Sequence, residues 1–182
     1  MKRKFKLITS VASLCLALTM MIFGVRAATN PQITVTGTVS FSATNVLATI
    51  SGVKGTGVDT TWTTDLQDIV YTVGTADAQS MDVGTISLTD AVTSGGYKIT
   101  VTSDFASGSN SLIKITSELP STITGTGYTV SYTGDANWTT ATTTGLTAGA
   151  STTVTVTITV DPAVASATFT EDIGMSIVLE RA

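Results

Sequence analysis

The stretch Ser151–Val160, STTVTVTITV, alternates threonine with β-branched apolar residues along its whole length. Successive side chains of a strand point to opposite faces. Val154, Val156, Ile158 and Val160 therefore share one face, and Thr153, Thr155, Thr157 and Thr159 share the other. This period of two predicts a half-buried strand in an antiparallel sheet that is wet on one side.

The same alternation recurs on either side of it. Gln32–Phe41 places Ile33, Val35, Val39 and Phe41 opposite Thr34, Thr36 and Thr38. Val46–Ile50, Leu66–Val73, Met81–Leu88, Tyr97–Ser103, Leu112–Ser117, Tyr128–Tyr132 and Ile173–Leu179 complete a set of about nine strands. Turn signals separate them: Ser94-Gly95-Gly96, Ser107-Gly108-Ser109-Asn110, Gly125-Thr126-Gly127, Gly134-Asp135 and Asp161-Pro162. Helical periodicity is absent beyond residue 27. The pattern predicts an all-β fold: a single two-sheet β-sandwich of jelly-roll or immunoglobulin-like topology. Gly134–Ala150 is the longest irregular stretch and the expected surface excursion.

The first 27 residues read differently. Lys2, Arg3, Lys4 and Lys6 precede an apolar run, Leu7–Val25, and Val25-Arg26-Ala27 offers small residues at a cleavage position. This is the form of a secretory signal peptide. The run is nearly long enough for an uncut membrane anchor. Cys15 lacks the small residue that precedes a lipobox cysteine, and the run holds no glutamate of the pilin kind. The expected organisation is therefore 1–27 signal peptide and 28–182 β-sandwich domain, secreted and extracellular, with no membrane contact after processing.

Composition narrows the function. Residues 28–182 contain neither histidine nor cysteine. That removes Ser-His-Asp and Cys-His catalysis and most zinc, copper and haem sites. Four basic residues (Lys54, Lys98, Lys114, Arg181) face 13 acidic ones, a balance that repels nucleic acid and anionic lipid. About one residue in four is threonine, but prolines are few, so the threonines belong to strands rather than to a glycosylated stalk. No enzymatic activity and no cofactor are expected.

The remaining chemical candidates are weak. Asp59, Asp65 and Asp68 lie close in sequence, as do Asp161, Glu171 and Asp172; carboxylates so placed could bind calcium, but the EF-hand spacing is absent and surface charge is the simpler reading. Paired carboxylates for glycoside hydrolysis need a cleft that nothing in the sequence indicates. Trp62 and Trp138 could stack on sugars or could fill a core corner. Asn137-Trp138-Thr139 fits a glycosylation sequon. The threonine row 153–159 resembles an ice-binding ladder, without a fixed solenoid repeat.

The first strand is more informative. No charged residue lies between Arg26 and Lys54. Edge strands normally carry charges that block pairing with other chains. An uncharged strand at a free end can complete a neighbouring subunit's sheet, or it can pair within its own sandwich. The residues alone leave both open.

Three stretches together, the Lys-rich leader with LITSVASLCLAL, the early QITVTGTVSF, and GLTAGASTTVTVTITVDPA before IGMSIVLE, resemble the TasA and camelysin-like group of bacterial extracellular fibre subunits. The resemblance implies a jelly-roll subunit whose N-terminal strand enters the next subunit to build biofilm-matrix filaments. Its donor side chains here would be Ile33, Val35, Val39 and Phe41 of the segment 28–41, and its partners further copies of the chain, head to tail. The metalloprotease-like activity described for camelysin is not implied, because no His-Glu-x-x-His motif is present. The alternative expectation is a monomeric secreted adhesin or carbohydrate-binding module with Trp138 as its surface contact.

Overall fold

The computed structural model describes residues 33–74, 76–89, 91–116, 119, 121–134, 138, 145–161 and 169–182. The expected leader, 1–27, and the start of the expected donor segment lie outside them.

The protein is an all-β sandwich. In chain order its strands are β1 (Ile33–Thr36), β2 (Thr38–Thr44), β3 (Ala48–Thr56), β4 (Thr64–Asp65), β5 (Ile69–Tyr71), β6 (Ala76–Asp82), β7 (Ile86–Leu88), β8 (Ser94–Ser103), β9 (Ile113–Thr116), β10 (Ile123–Gly125), β11 (Tyr128–Gly134), β12 (Ser151–Val160), β13 (Phe169–Asp172) and β14 (Met175–Arg181). Among the described residues the only helical element is a 3-10 turn at Asp59–Thr61.

The largest sheet has the order β10-β11-β12-β8-β3-β4, with β5 also on β3. All its pairs are antiparallel. β12 lies in its interior with the faces that alternation predicts. Val154, Val156, Ile158 and Val160 are buried; Thr153, Thr155 and Thr157 are half-buried on the other side, and Thr159 is exposed. On that outer face the hydroxyls of Thr100 and Thr153 lie 3.1 Å apart and those of Thr102 and Ser151 3.0 Å apart, so cross-strand pairs satisfy one another.

The opposing layer consists of two ladders, β13-β1-β7 and β6-β2-β14-β9. They are joined because β1–β2 and β13–β14 each run from one ladder into the other. A single hydrophobic cluster fills the space between the layers, including Ile33, Phe41, Ile50, Tyr97, Ile99, Ile158 and Leu179. Burying each large aliphatic side chain contributes about 1.5–3 kcal/mol.

Fourteen described strands replace the expected nine for identifiable reasons. The segment 32–41 divides at Gly37, the expected 173–179 begins only at Met175, and the short strands β4, β10 and β13 lie outside the expected stretches. The region 81–88 is two strands, 76–82 and 86–88, which differ in register against their partners. Ser94-Gly95-Gly96 is not a turn but the start of β8. Glycine is required there because the neighbouring strands approach so closely. A Cβ on Gly96 would stand 1.9 Å from the Val156 carbonyl oxygen, and one on Gly95 2.8 Å from that of Gly55.

Candidate assembly site

Ile33, Val35, Val39 and Phe41, the four side chains assigned to a donor strand, are all buried in the sandwich that contains them. Of the two readings the sequence leaves open, the structure shows the strand paired within its own chain. It is not an edge. β1 is the central strand of its ladder, and β2 lies between β6 and β14. That arrangement removes the need for the edge charges whose absence marked the segment.

The pairing is unusual in joining the first described strand to the last, in parallel. Ile33 stands opposite Phe169, Thr36 opposite Asp172, Val39 opposite Met175 and Thr44 opposite Glu180, with no change of register. On the other flank β1 pairs antiparallel with β7 and β2 with β6. The strand thus occupies a groove walled by β13–β14 on one side and by β6–β7 on the other.

The crossing between ladders is built by small residues and side-chain locks. A Cβ on Gly174 would come within 2.5 Å of the Thr38 carbonyl oxygen, and one on Gly37 would lie 3.0 Å from the Gly174 nitrogen. The Ile173 N–H donates to the Thr36 carbonyl (2.9 Å), and the Val83 N–H donates to the Gly37 carbonyl (2.9 Å). Asp172 Oδ1 accepts from the Gly174 N–H at 3.0 Å, and Asp82 Oδ1 accepts from the Gly84 N–H at 2.7 Å. Tyr97 reaches across the core from β8 and donates its hydroxyl to the Ile173 carbonyl at 2.7 Å. Burial holds the Tyr97 phenol far above its ordinary range, reinforced by Tyr132 and Asp172. Lys54 spans the layers near the β6–β7 junction and donates to the Val83 carbonyl at 2.5 Å.

The strand leaves the groove through Asn45, Val46 and Leu47. Asn45 has left-handed backbone (φ 57°), a conformation that asparagine tolerates. Val46 is buried, and the Leu47 carbonyl accepts from the Asp104 N–H at 3.0 Å.

Trp138 corrects an expectation. It is 1% exposed and belongs to the core, so it presents no surface for a sugar to stack on. A Cβ on Gly134 would lie 2.5 Å from its Cβ, so the tryptophan packs directly over that glycine. Residues 137 and 139 of the sequon lie outside the described residues. Trp62 is also covered, and its indole N–H donates to the Gly57 carbonyl at 3.2 Å. Gly55 and Gly96 form the floor beneath its ring.

Among the described residues the acidic side chains do not gather, and the side chain of Glu171 lies outside them. Asp59 pairs with Lys98 at 3.4 Å, while Asp65 and Asp68 are exposed. Among the described residues no three metal-ligating side chains come together, and no helix is long and apolar enough to cross a membrane. The chain matches no protein-family model and no curated protein sequence.

Gly37, Gly174, Tyr97 and the Asn45 hinge were missed as parts of this site. The two glycines and the asparagine are visible in the sequence as interruptions of alternation. Their facing one another depends on the first and last strands meeting, which no local pattern encodes.

Proposed function

We propose that this protein is a secreted structural subunit that polymerises into an extracellular filament by exchanging its first strand between copies. The observation that carries the reading is the place of β1–β2: the chain's first described strand fills a groove walled on both sides by later strands. A strand from another copy would make the same contacts there, so exchange conserves the bonding and is limited by concentration and by the barrier to opening.

Energetics favour exchange over simple loss of the strand. Ile33, Val35, Val39 and Phe41 together bury side chains contributing roughly 6–12 kcal/mol. That is comparable to the whole stability of a domain, about 5–15 kcal/mol. An emptied groove must therefore be refilled, by its own strand or by a neighbour's. A groove refilled head to tail leaves the next strand free, and such a contact propagates.

The test is electron microscopy of residues 28–182 at increasing concentration. Filaments are expected, and their growth should stop when a synthetic peptide of residues 28–44 is added in excess to occupy free grooves. A chain that stays monomeric at every concentration overturns the proposal. The adhesin alternative loses its principal residue with the burial of Trp138.

A further inference from the structure

The hinge limits what strand exchange can build. Thr44 and Ala48 are separated by only three residues, a span of at most about 14 Å even when fully extended. Both ends lie at one pole of the sandwich. Thr44 pairs with Ala76 and Glu180, and Ala48 pairs with Tyr71 and Ser103. The opposite pole holds Ile33 with Leu88, Thr56 with Gly95, and Val160 with Tyr128.

A strand 33–44 lodged in a second copy ends at that copy's hinge pole. Its own body must then resume at its own hinge pole, within the same short reach. The two bodies meet pole to pole. If the acceptor passed its own strand to a third body, that body would have to crowd against the same pole. Returning the strand to the first body needs no new junction: both hinges cross the one already made, and both grooves are filled. A contact of this kind is isologous and closes on itself. An open chain must first lengthen the hinge, by pulling Val46 from the core and breaking the Asp104–Leu47 hydrogen bond.

We propose that residues 33–44 exchange as one unit about Asn45–Leu47, and that the hinge-limited product is a closed two-fold pair in which each copy completes the other's sheets. The inference rests on the strand-exchange reading above. The pair is the closed counterpart of the filament. It uses the same groove and leaves no strand free, so it holds subunits back from growth until the hinge is released.

A disulfide trap distinguishes the outcomes. Ser42 and Ala78 stand directly opposite in the β2–β6 ladder, and both are exposed. Facing residues of an antiparallel pair lie at distances a disulfide can bridge. Residues 28–182 contain no other thiol. The variant S42C/A78C is assembled under reducing conditions at concentrations below those that yield filaments, oxidised, and run on a non-reducing denaturing gel. The expected result is a shift from one chain to a covalent pair, with no longer species. A ladder of lengthening oligomers overturns the closed pair while leaving strand exchange standing. A single chain with an internal disulfide at every concentration overturns both. The pair S40C/S80C, facing in the same ladder, repeats the reading at a second position. Mixed single variants S42C and A78C form a heterodimer only when the strand of one chain lies in the sheet of the other.

Discussion

The sheet around β12 and the arm formed by β1–β2 are both buried β-structure, but they are held in different ways. β8 pairs with β3 and with β12 along nine positions each, all antiparallel. The arm is gripped in parallel by β13–β14, across ten positions interrupted at a glycine crossing. Parallel pairing is slightly weaker per residue, and here it joins opposite ends of the chain. Long loops carry a larger closure entropy, so such contacts form late and open early. The large sheet is therefore the frame. The arm is the part that the proposed exchange would move.

The largest effect is expected from removing the arm. A chain lacking residues 28–44 should lose cooperative folding, because it would leave roughly 6–12 kcal/mol of apolar burial unmade. Added peptide 33–44 should restore the melting transition seen by circular dichroism. Restoration would show that the groove accepts a strand in trans, and a truncated chain that melts like the intact one would erase the distinction between arm and frame.

Paired glycine substitutions sharpen the comparison next. Gly96→Ala forces a Cβ into the β8–β12 ladder and should lower global stability by about 3 kcal/mol or more. Gly174→Ala crowds the Thr38 carbonyl oxygen and should cost about 1–3 kcal/mol. Hydrogen exchange should show Gly174→Ala speeding the amides of β1–β2 before those of β8 and β12. Equal acceleration in both regions would count against an arm that opens on its own.

Tyr97 ties frame to arm, so its removal should act on both. Tyr97→Phe leaves the buried Ile173 carbonyl without its donor, at a cost of about 1–3 kcal/mol in denaturant titration. The phenol's folded pKa is raised, so its neutral form is favoured in the folded state. Its stabilising contribution is intact below the unfolded tyrosine value, about 10, and declines as pH rises past it. The wild-type chain should thus lose stability above about pH 10, and Tyr97→Phe should flatten that decline.

The smallest effect belongs to the surface of the frame. Asp59→Asn breaks the partly exposed pair with Lys98 and should change stability by no more than about 1 kcal/mol. Added salt should shrink the difference further. A larger loss would show that the 3-10 turn carrying Trp62 depends on this ion pair.

Much of the frame was legible in the sequence. Val154, Val156, Ile158 and Val160 are buried because β-branched alternation fits a pleat with one dry face, and on the wet one Thr153 pairs with Thr100. Gly95 and Gly96 misled, since the sequence signal for a turn is also the signal for close backbone approach. Trp138 stayed open for a related reason: an aromatic residue in an irregular stretch can face water or core, and the packing over Gly134 decided for the core. At the candidate site the alternation placed Ile33, Val35, Val39 and Phe41 on one buried face, but not the strands that flank them.

The sequence alone determined the class of fold, the faces of its clearest strands, and a chain without histidine or cysteine beyond its first 27 residues. These follow from local periodicity and composition, which need no knowledge of what packs against what. Tertiary structure decided that the uncharged first strand lies inside two ladders, parallel to the last one, and leaves through a three-residue hinge at one pole. Pairing between chain ends depends on register and topology, and neither is written in any stretch short enough to read by pattern.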